Sequence, residues 1–298
     1  QAVEQPCVVP ACAAERGGLK IVAAVDKDPD KIGRDVGTLC GLKPMKVKVS
    51  GDLKKAVRGT GARVAILTTV SSVEKLVSQV AEAAAAGLHI VSTCEELSFP
   101  WQAHREAAMR IDKICRQHGV ACIGTGVNPG FLMDYLPCVL SAVCQKVKAV
   151  RVSRIQDASS RRVPFQQKIG AGLTRAEFKA RAAAGTLRHV GLTGSIHMIA
   201  HCLNWRLDRV TESLKAVVAR RTITSGHVRI VPGQACGVEQ IGRGYATAKA
   251  RHIFRDFIDA TAKVTINKDE VLVRFQKRAH NPLLLAAGFA KTDVAIPW

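Results

Sequence analysis

Short runs of β-branched and aliphatic residues recur through the first 130 positions, and segments of helical character separate most of them. The runs are LKIVAAVD (Leu19 to Asp26), ARVAILTT (Ala62 to Thr69), LHIVSTC (88–94) and GVACIGTG (119–126). The first two have the length and composition of parallel strands buried on both faces. Ser72 to Ala86 and residues 99–118 supply helices between the later runs. Alternation of this kind specifies an α/β fold, a Rossmann-like doubly wound parallel sheet, over residues 1–127.

From Asn128 onward the pattern changes. FLMDYLPCVLSAVC reads as a helix and KAVRVSRIQDAS as a strand with alternating faces. LTRAEFKARAAAG and SIHMIAHCLN read as two further helices, the first opened by Thr174 with Glu177 three residues on, a capping box. VTESLKAVVARRTITS, HVRIVPGQACGVEQIGRG and ATAKVTINKDEVLVRFQK predict long strands of an antiparallel or mixed sheet. Residues 128–298 are therefore a second, α+β domain.

Composition narrows the class. An apolar content of 47% over 298 residues supports a globular core, and no apolar run approaches the ~18 residues of a spanning helix. The predicted protein is soluble, with no membrane partner. Its 44 Lys and Arg against 24 Asp and Glu give a charge of +20, which attracts anions. The basic residues are scattered and aromatics make up only 4%, with no nucleic-acid-binding signature, so phosphate-bearing cofactors and carboxylate substrates are favoured over nucleic acid. Ten cysteines without a CxxC pair predict a reducing, cytoplasmic setting, and no signal peptide is read at the start. No metal-binding spacing occurs, so no metal is expected.

The stretch ACIGTGVNPGFLMDYLP looks at first like a dinucleotide loop. Its spacing, GxGxxxG with Pro129 inside, and its place after the fourth run instead of the first argue otherwise. It is read as a crossover, the glycines allowing a tight exit and Asn128-Pro129 starting the next helix.

The blocks VDKDPDKIGRDVGTLCGL, ILTTVSSV, IVSTCEELSFPW, GTGVNPGFLMDYLP, DASSRR, QKIGAG and GTLRHVGLTGS resemble the 2,4-diaminopentanoate dehydrogenase family, relatives of dihydrodipicolinate reductase, from about residue 16 to 260. The resemblance implies NAD or NADP in the first domain, and substrate contacts and homo-oligomer surfaces (dimer or tetramer) in the second. It implies oxidative deamination of an amino acid such as 2,4-diaminopentanoate. An imine reductase of the dihydrodipicolinate type, or a non-catalytic ligand-binding homologue, stands as the alternative. A GxGxxG loop belongs about 20 residues ahead of the acid ending the second strand, here Asp26. Residues 1–12 hold no glycine and the first is Gly17, so the start is read as truncated or wrongly joined, and the tail past residue 276 as atypical.

Within that frame Asp26 either bonds the ribose hydroxyls or closes a turn rich in turn formers, with Lys27 and Arg34 as phosphate contacts. Thr68, Thr69 and Ser71, after the second run, and Cys94, after the third, lie where open α/β sheets place ligands; Asn128 is a further cofactor contact. Of the adjacent acids, Glu95 is assigned catalysis and Glu96 the substrate, against the reading that both favour a helix N-terminus. Asp157, Arg161, Arg162 and Lys168 are assigned to substrate, a guanidinium being suited to a carboxylate. His189 is a candidate catalytic group, whereas His197, inside an apolar helix, is read as packed in the core. DASSRR lacks the paired histidines and lysine of the reductases, which counts against dihydrodipicolinate reduction.

Overall fold

The computed structural model describes residues 8–16, 18–144, 146–155, 158, 163–187, 190–225, 228–246, 249–257, 264–267 and 270–275. The chain divides into two compact units, Gln1–Cys94 with Glu106–Ile123, and Glu95–Arg105 with Gly124–Trp298.

The first unit opens with α1 (Val8–Glu15), then β1 (Ala24–Val25) paired in parallel with β2 (Val49–Ser50). Between them Asp35 caps α2 (Val36–Leu39), and its carboxylate accepts the backbone N–H groups of Thr38, Met45 and Val47. Those bonds, Met45 first, hold the Asp35 carboxyl below its ordinary range. After α3 (Leu53–Val57) come β3 (Val64–Leu67), α4 (Val73–Ala85), β4 (His89–Ser92), the short α5 (Pro100–Ala103), which belongs to the second unit, α6 (Arg105–His118) and β5 (Cys122–Gly124), with sheet order β3-β4-β5. In α4 the buried residues Val73, Leu76, Val80, Ala83 and Ala84 follow helical spacing, and Gly87 at φ 74° ends the helix by donating to Ala84.

The structure corrects three expectations in this region. The predicted strand Leu19–Asp26 shrinks to two residues, and Leu19 is 58% exposed, because a two-stranded sheet gives the run little to pack against. β3 is likewise open on one face, with Val64 and Ile66 about half exposed. The predicted helix 99–118 is broken at His104 into α5 and α6.

In the second unit α7 (Tyr135–Ser141) leads to β6 (Ala149–Ile155), α8 (Val163–Lys168), α9 (Arg175–Ala183) and α10 (Leu192–Cys202). The strands β7 (Arg209–Val218), β8 (Ile223–Ser225), β9 (Val228–Ile230), β10 (Ala235–Ala246), β11 (Lys249–Phe257), β12 (Val264–Asn267) and β13 (Glu270–Phe275) follow. Six strands form one mixed sheet, order β12-β13-β6-β11-β10-β7, with β6 parallel to both neighbours. The Thr174–Glu177 capping box forms as read. Leu192, Ser195, Ile196, Ile199 and Ala200 make the buried face of α10, and Leu192, Ile196 and Ile199 join Met133, Val150 and Val152 in the core. Gly242 of β10 permits that packing, since a Cβ there would sit 2.8 Å from Ile196 Cδ1. Asn128-Pro129 does not start the next helix: its peptide is cis, and Asp134 caps α7.

Candidate functional site

Three of the sequence blocks that carry the resemblance meet in the second unit. Gly191 marks the meeting point. At φ 92° it precedes α10, and a Cβ on it would lie 2.5 Å from Pro129 Cγ and 3.3 Å from the Glu95 carbonyl oxygen. Gly194 runs beside Phe99, whose carbonyl would be 3.5 Å from an added Cβ. The 124–130 loop is equally close-packed: a Cβ on Gly124 would meet Leu97 O at 2.7 Å, and one on Gly126 would meet Pro129 O at 2.5 Å. The glycines of GTGVNPG therefore serve backbone-to-backbone approach, as a crossover requires.

Polar groups hold this arrangement. Asp134, fully buried, accepts Gly130 N–H at 2.8 Å and Tyr135 N–H at 2.7 Å, and the Ser195 hydroxyl donates to it at 2.8 Å. One carboxylate thus ties the glycine loop to the first turns of α7 and α10. Ser98 donates its backbone N–H to Glu95 O at 3.3 Å, and the Glu96 carboxylate faces His104 Nε2 at 3.6 Å. His104 sits at the break between α5 and α6. Among the described residues, Ser98 Oγ and Asn128 Nδ2 are buried with no hydrogen-bond partner. Buried polar atoms are nearly always paired, and these two make this neighbourhood the candidate site.

The structure brings Glu95, Glu96 and Asn128 into this one neighbourhood. The other described candidates, Lys168 apart, belong to the first unit. Asp26 follows β1, where Lys31 donates to it at 2.9 Å and Asp28 N–H at 3.0 Å, and these bonds, Lys31 first, hold its carboxyl below the ordinary range. Lys27 donates to Gly51 O at 2.8 Å. Arg34 is exposed on the same loop, and Thr68 and Thr69 are exposed past the C-terminal end of β3, where Thr69 donates to Gln79 and Ser71 is half-buried. Cys94 is buried, its N–H donating to Ser92 Oγ at 3.2 Å. Lys168 is exposed in the last turn of α8. Asp157, Arg161, Arg162 and His189 lie outside the described residues.

Sequence reasoning passed over Asp134, Ser195, Ser98 and His104. An aspartate ahead of an apolar helical run is a cap signal that marks Asp134, and Ser195 ends the quoted GTLRHVGLTGS block. Nothing local pairs Glu96 with His104.

His197 is half-buried in α10, and burial holds its imidazole below the ordinary range. The native state keeps it neutral where the unfolded chain, with a value near ~6.5, takes up a proton. Its contribution is therefore full above the unfolded value and is lost as pH falls from there through the folded value. Thermal melts at stepped pH are expected to show the midpoint falling below about pH 6.5, and His197→Gln to flatten that part of the profile.

Comparison with known proteins shows what the chain is similar to. Residues 131–255 match the 2,4-diaminopentanoate dehydrogenase C-terminal domain. The chain is 28% identical over 205 residues to the 2,4-diaminopentanoate dehydrogenase of Acetoanaerobium sticklandii, covering 68% of this chain and 58% of that protein. It is 24% identical over 215 residues to an amine dehydrogenase of Streptomyces virginiae, covering 70% and 59%. The chain thus spans somewhat under two thirds of the curated relatives' length. The structure of an amine dehydrogenase from Mycobacterium smegmatis shares the fold, with a TM-score of 0.69 at 19% identity over 89% of this chain and 74% of that one. The resemblance read from the sequence is borne out, as is the Rossmann-like α/β fold with a second α+β domain.

Proposed function

We propose that this relative of the 2,4-diaminopentanoate dehydrogenases belongs to an NAD(P)-dependent oxidoreductase that oxidatively deaminates an amine, with a diamino acid such as 2,4-diaminopentanoate as substrate. The observation that carries the reading is the convergence of CEELSFPW, GTGVNPG and GLTGS on Gly191, with two buried polar atoms left without partners among the described residues. In this reading residues 1–127 bind the dinucleotide, and residues 128–298 bind the substrate and a second copy of the chain, in the cytoplasm.

The residues at hand fit part of a dinucleotide. Asp26 suits the ribose, the exposed hydroxyls of Thr68 and Thr69 suit its approach past β3, and Asn128 suits the nicotinamide amide. Helix α1 stands ahead of β1, and phosphate contact is assigned to Arg34 and Lys27. When bound, the nicotinamide supplies the hydride acceptor for the carbon bearing the amino group.

The chain's own residues supply the rest. Glu95 takes the proton that keeps the reacting amine neutral, with His189 as the second proton carrier. Glu96, held beside His104, binds the distal ammonium. Asp157 joins it there, while Arg161, Arg162 and Lys168 grip the carboxylate. Water then hydrolyses the imine to a ketone and ammonia.

A fluorescence titration of the chain with NADH and NADPH at two salt concentrations tests the reading. Saturable micromolar binding, weakened by Asn128→Ala, is expected, and the preferred cofactor then enters a screen of amines for absorbance growth at 340 nm, roughly the reduced-nicotinamide band that hydride transfer creates. A folded chain that binds neither nucleotide overturns it.

A further inference from the structure

Neither the site nor the proposed reaction uses the thiols of the second unit, yet two of them touch. Cys138 lies in α7, half-buried against the cluster of Met133, Ile196 and Ile199. Cys202 is the last residue of α10 and is exposed, and its side chain hydrogen-bonds to that of Cys138. They come from the two helices whose first turns are already joined through Asp134 and Ser195.

We propose that Cys138 and Cys202 form a reversible dithiol–disulfide site that reacts with low-molecular-weight disulfides. The roles of the two sulfurs differ. Burial, then the Cys202 thiol and the Asp134 carboxylate, push the Cys138 thiol well above its ordinary range, so the exposed Cys202 is the attacking group. Its thiolate displaces one thiolate from the external disulfide and forms a mixed disulfide. Cys138, losing its proton to the departing thiolate, then attacks Cys202 Sγ, closing the protein disulfide and releasing the second thiol. Two protein thiols are oxidised, and one external disulfide is reduced to two thiols.

The first unit contains a contrasting pair. Cys115 and Cys122 also hydrogen-bond to each other, but Cys115 is buried and Cys122 half-buried, its thiol pushed up to about 12 by burial and by Cys115. With no exposed sulfur to receive the oxidant, that pair is slow. Cys12 is the other exposed cysteine among the described residues and serves as an internal measure of simple thiol reactivity.

The test is peptide mapping of the folded, reduced chain after incubation with graded oxidised glutathione, remaining thiols being alkylated before digestion. The expected product is a linked pair of peptides carrying Cys138 and Cys202, lighter by two hydrogens than the two thiols and opened by dithiothreitol. It should appear before any Cys115–Cys122 link, while Cys12 stops at the mixed disulfide. In Cys138→Ser, Cys202 should stall as the mixed disulfide. A wild-type chain in which Cys202 accumulates as the glutathione adduct with Cys138 still alkylated overturns the proposal. So does closure of Cys115–Cys122 at lower oxidant, or a Cys202 that stays unreacted while Cys12 reacts.

Discussion

Asp134→Ala is expected to lower the stability of the chain by about 3–5 kcal/mol, among the largest effects available to a single polar substitution. The change removes no apolar packing. It strands Gly130 N–H, Tyr135 N–H and the Ser195 hydroxyl in a place from which water is excluded. Each buried donor left without its acceptor costs about 1–3 kcal/mol, and losses within one network do not simply add. Ser195→Ala removes a single donor and leaves the two backbone bonds intact, so it should cost roughly 1 kcal/mol. Denaturant melts of the two variants and the wild type measure the difference. Equal effects from both would show that Asp134 acts only through Ser195 and that the loop needs no anchor.

The contrast between Asp134 and its neighbours shows what the sequence reveals. Local chemistry is legible where local chemistry decides. The boundaries of α4 follow from its apolar spacing and Gly87, and the start of α9 follows from Thr174 and Glu177. The break at His104 was hidden because WQAHREAAM holds neither proline nor glycine. β11 carries no strand signal of its own, its run KARHIFRDF being too charged to stand out. Asn128-Pro129 carried a helix-start signal that the fold answers differently, with Asp134 as the cap.

The composition of Leu19–Asp26 and Ala62–Thr69 predicts burial on both faces, yet exposure depends on how many strands and helices cover them, which no local pattern records. The same holds for the site. Each of the three blocks could be singled out from its own residues, but their meeting at Gly191 rests on contacts between positions far apart in the chain. The bond between Ser195 and Asp134 alone spans 61 residues.

Gly191→Ala is expected to be the more disruptive of two alanine substitutions that look alike in sequence. Gly191 and Gly185 both have positive φ, 92° and 70°, so both variants force an L residue into the left-handed region, at a cost of about 1–2 kcal/mol. At Gly185 a new Cβ meets nothing within 4 Å, and backbone strain is the whole effect. At Gly191 it would stand 2.5 Å from Pro129 Cγ, a distance that real Cβ contacts do not reach. Pro129 is a closed ring in a loop tied to Asp134 through Gly130, so it has little freedom to retreat, and the Glu95 carbonyl closes the other side. Overpacking of this kind adds about 1–3 kcal/mol and shifts the backbone carrying Glu95 and Asn128. Gly191→Ala should therefore melt at lower denaturant than Gly185→Ala and lose most nucleotide binding, whereas Gly185→Ala keeps it. Equal melting of the two would mean that the loop yields freely, and that the close approach at Gly191 positions nothing.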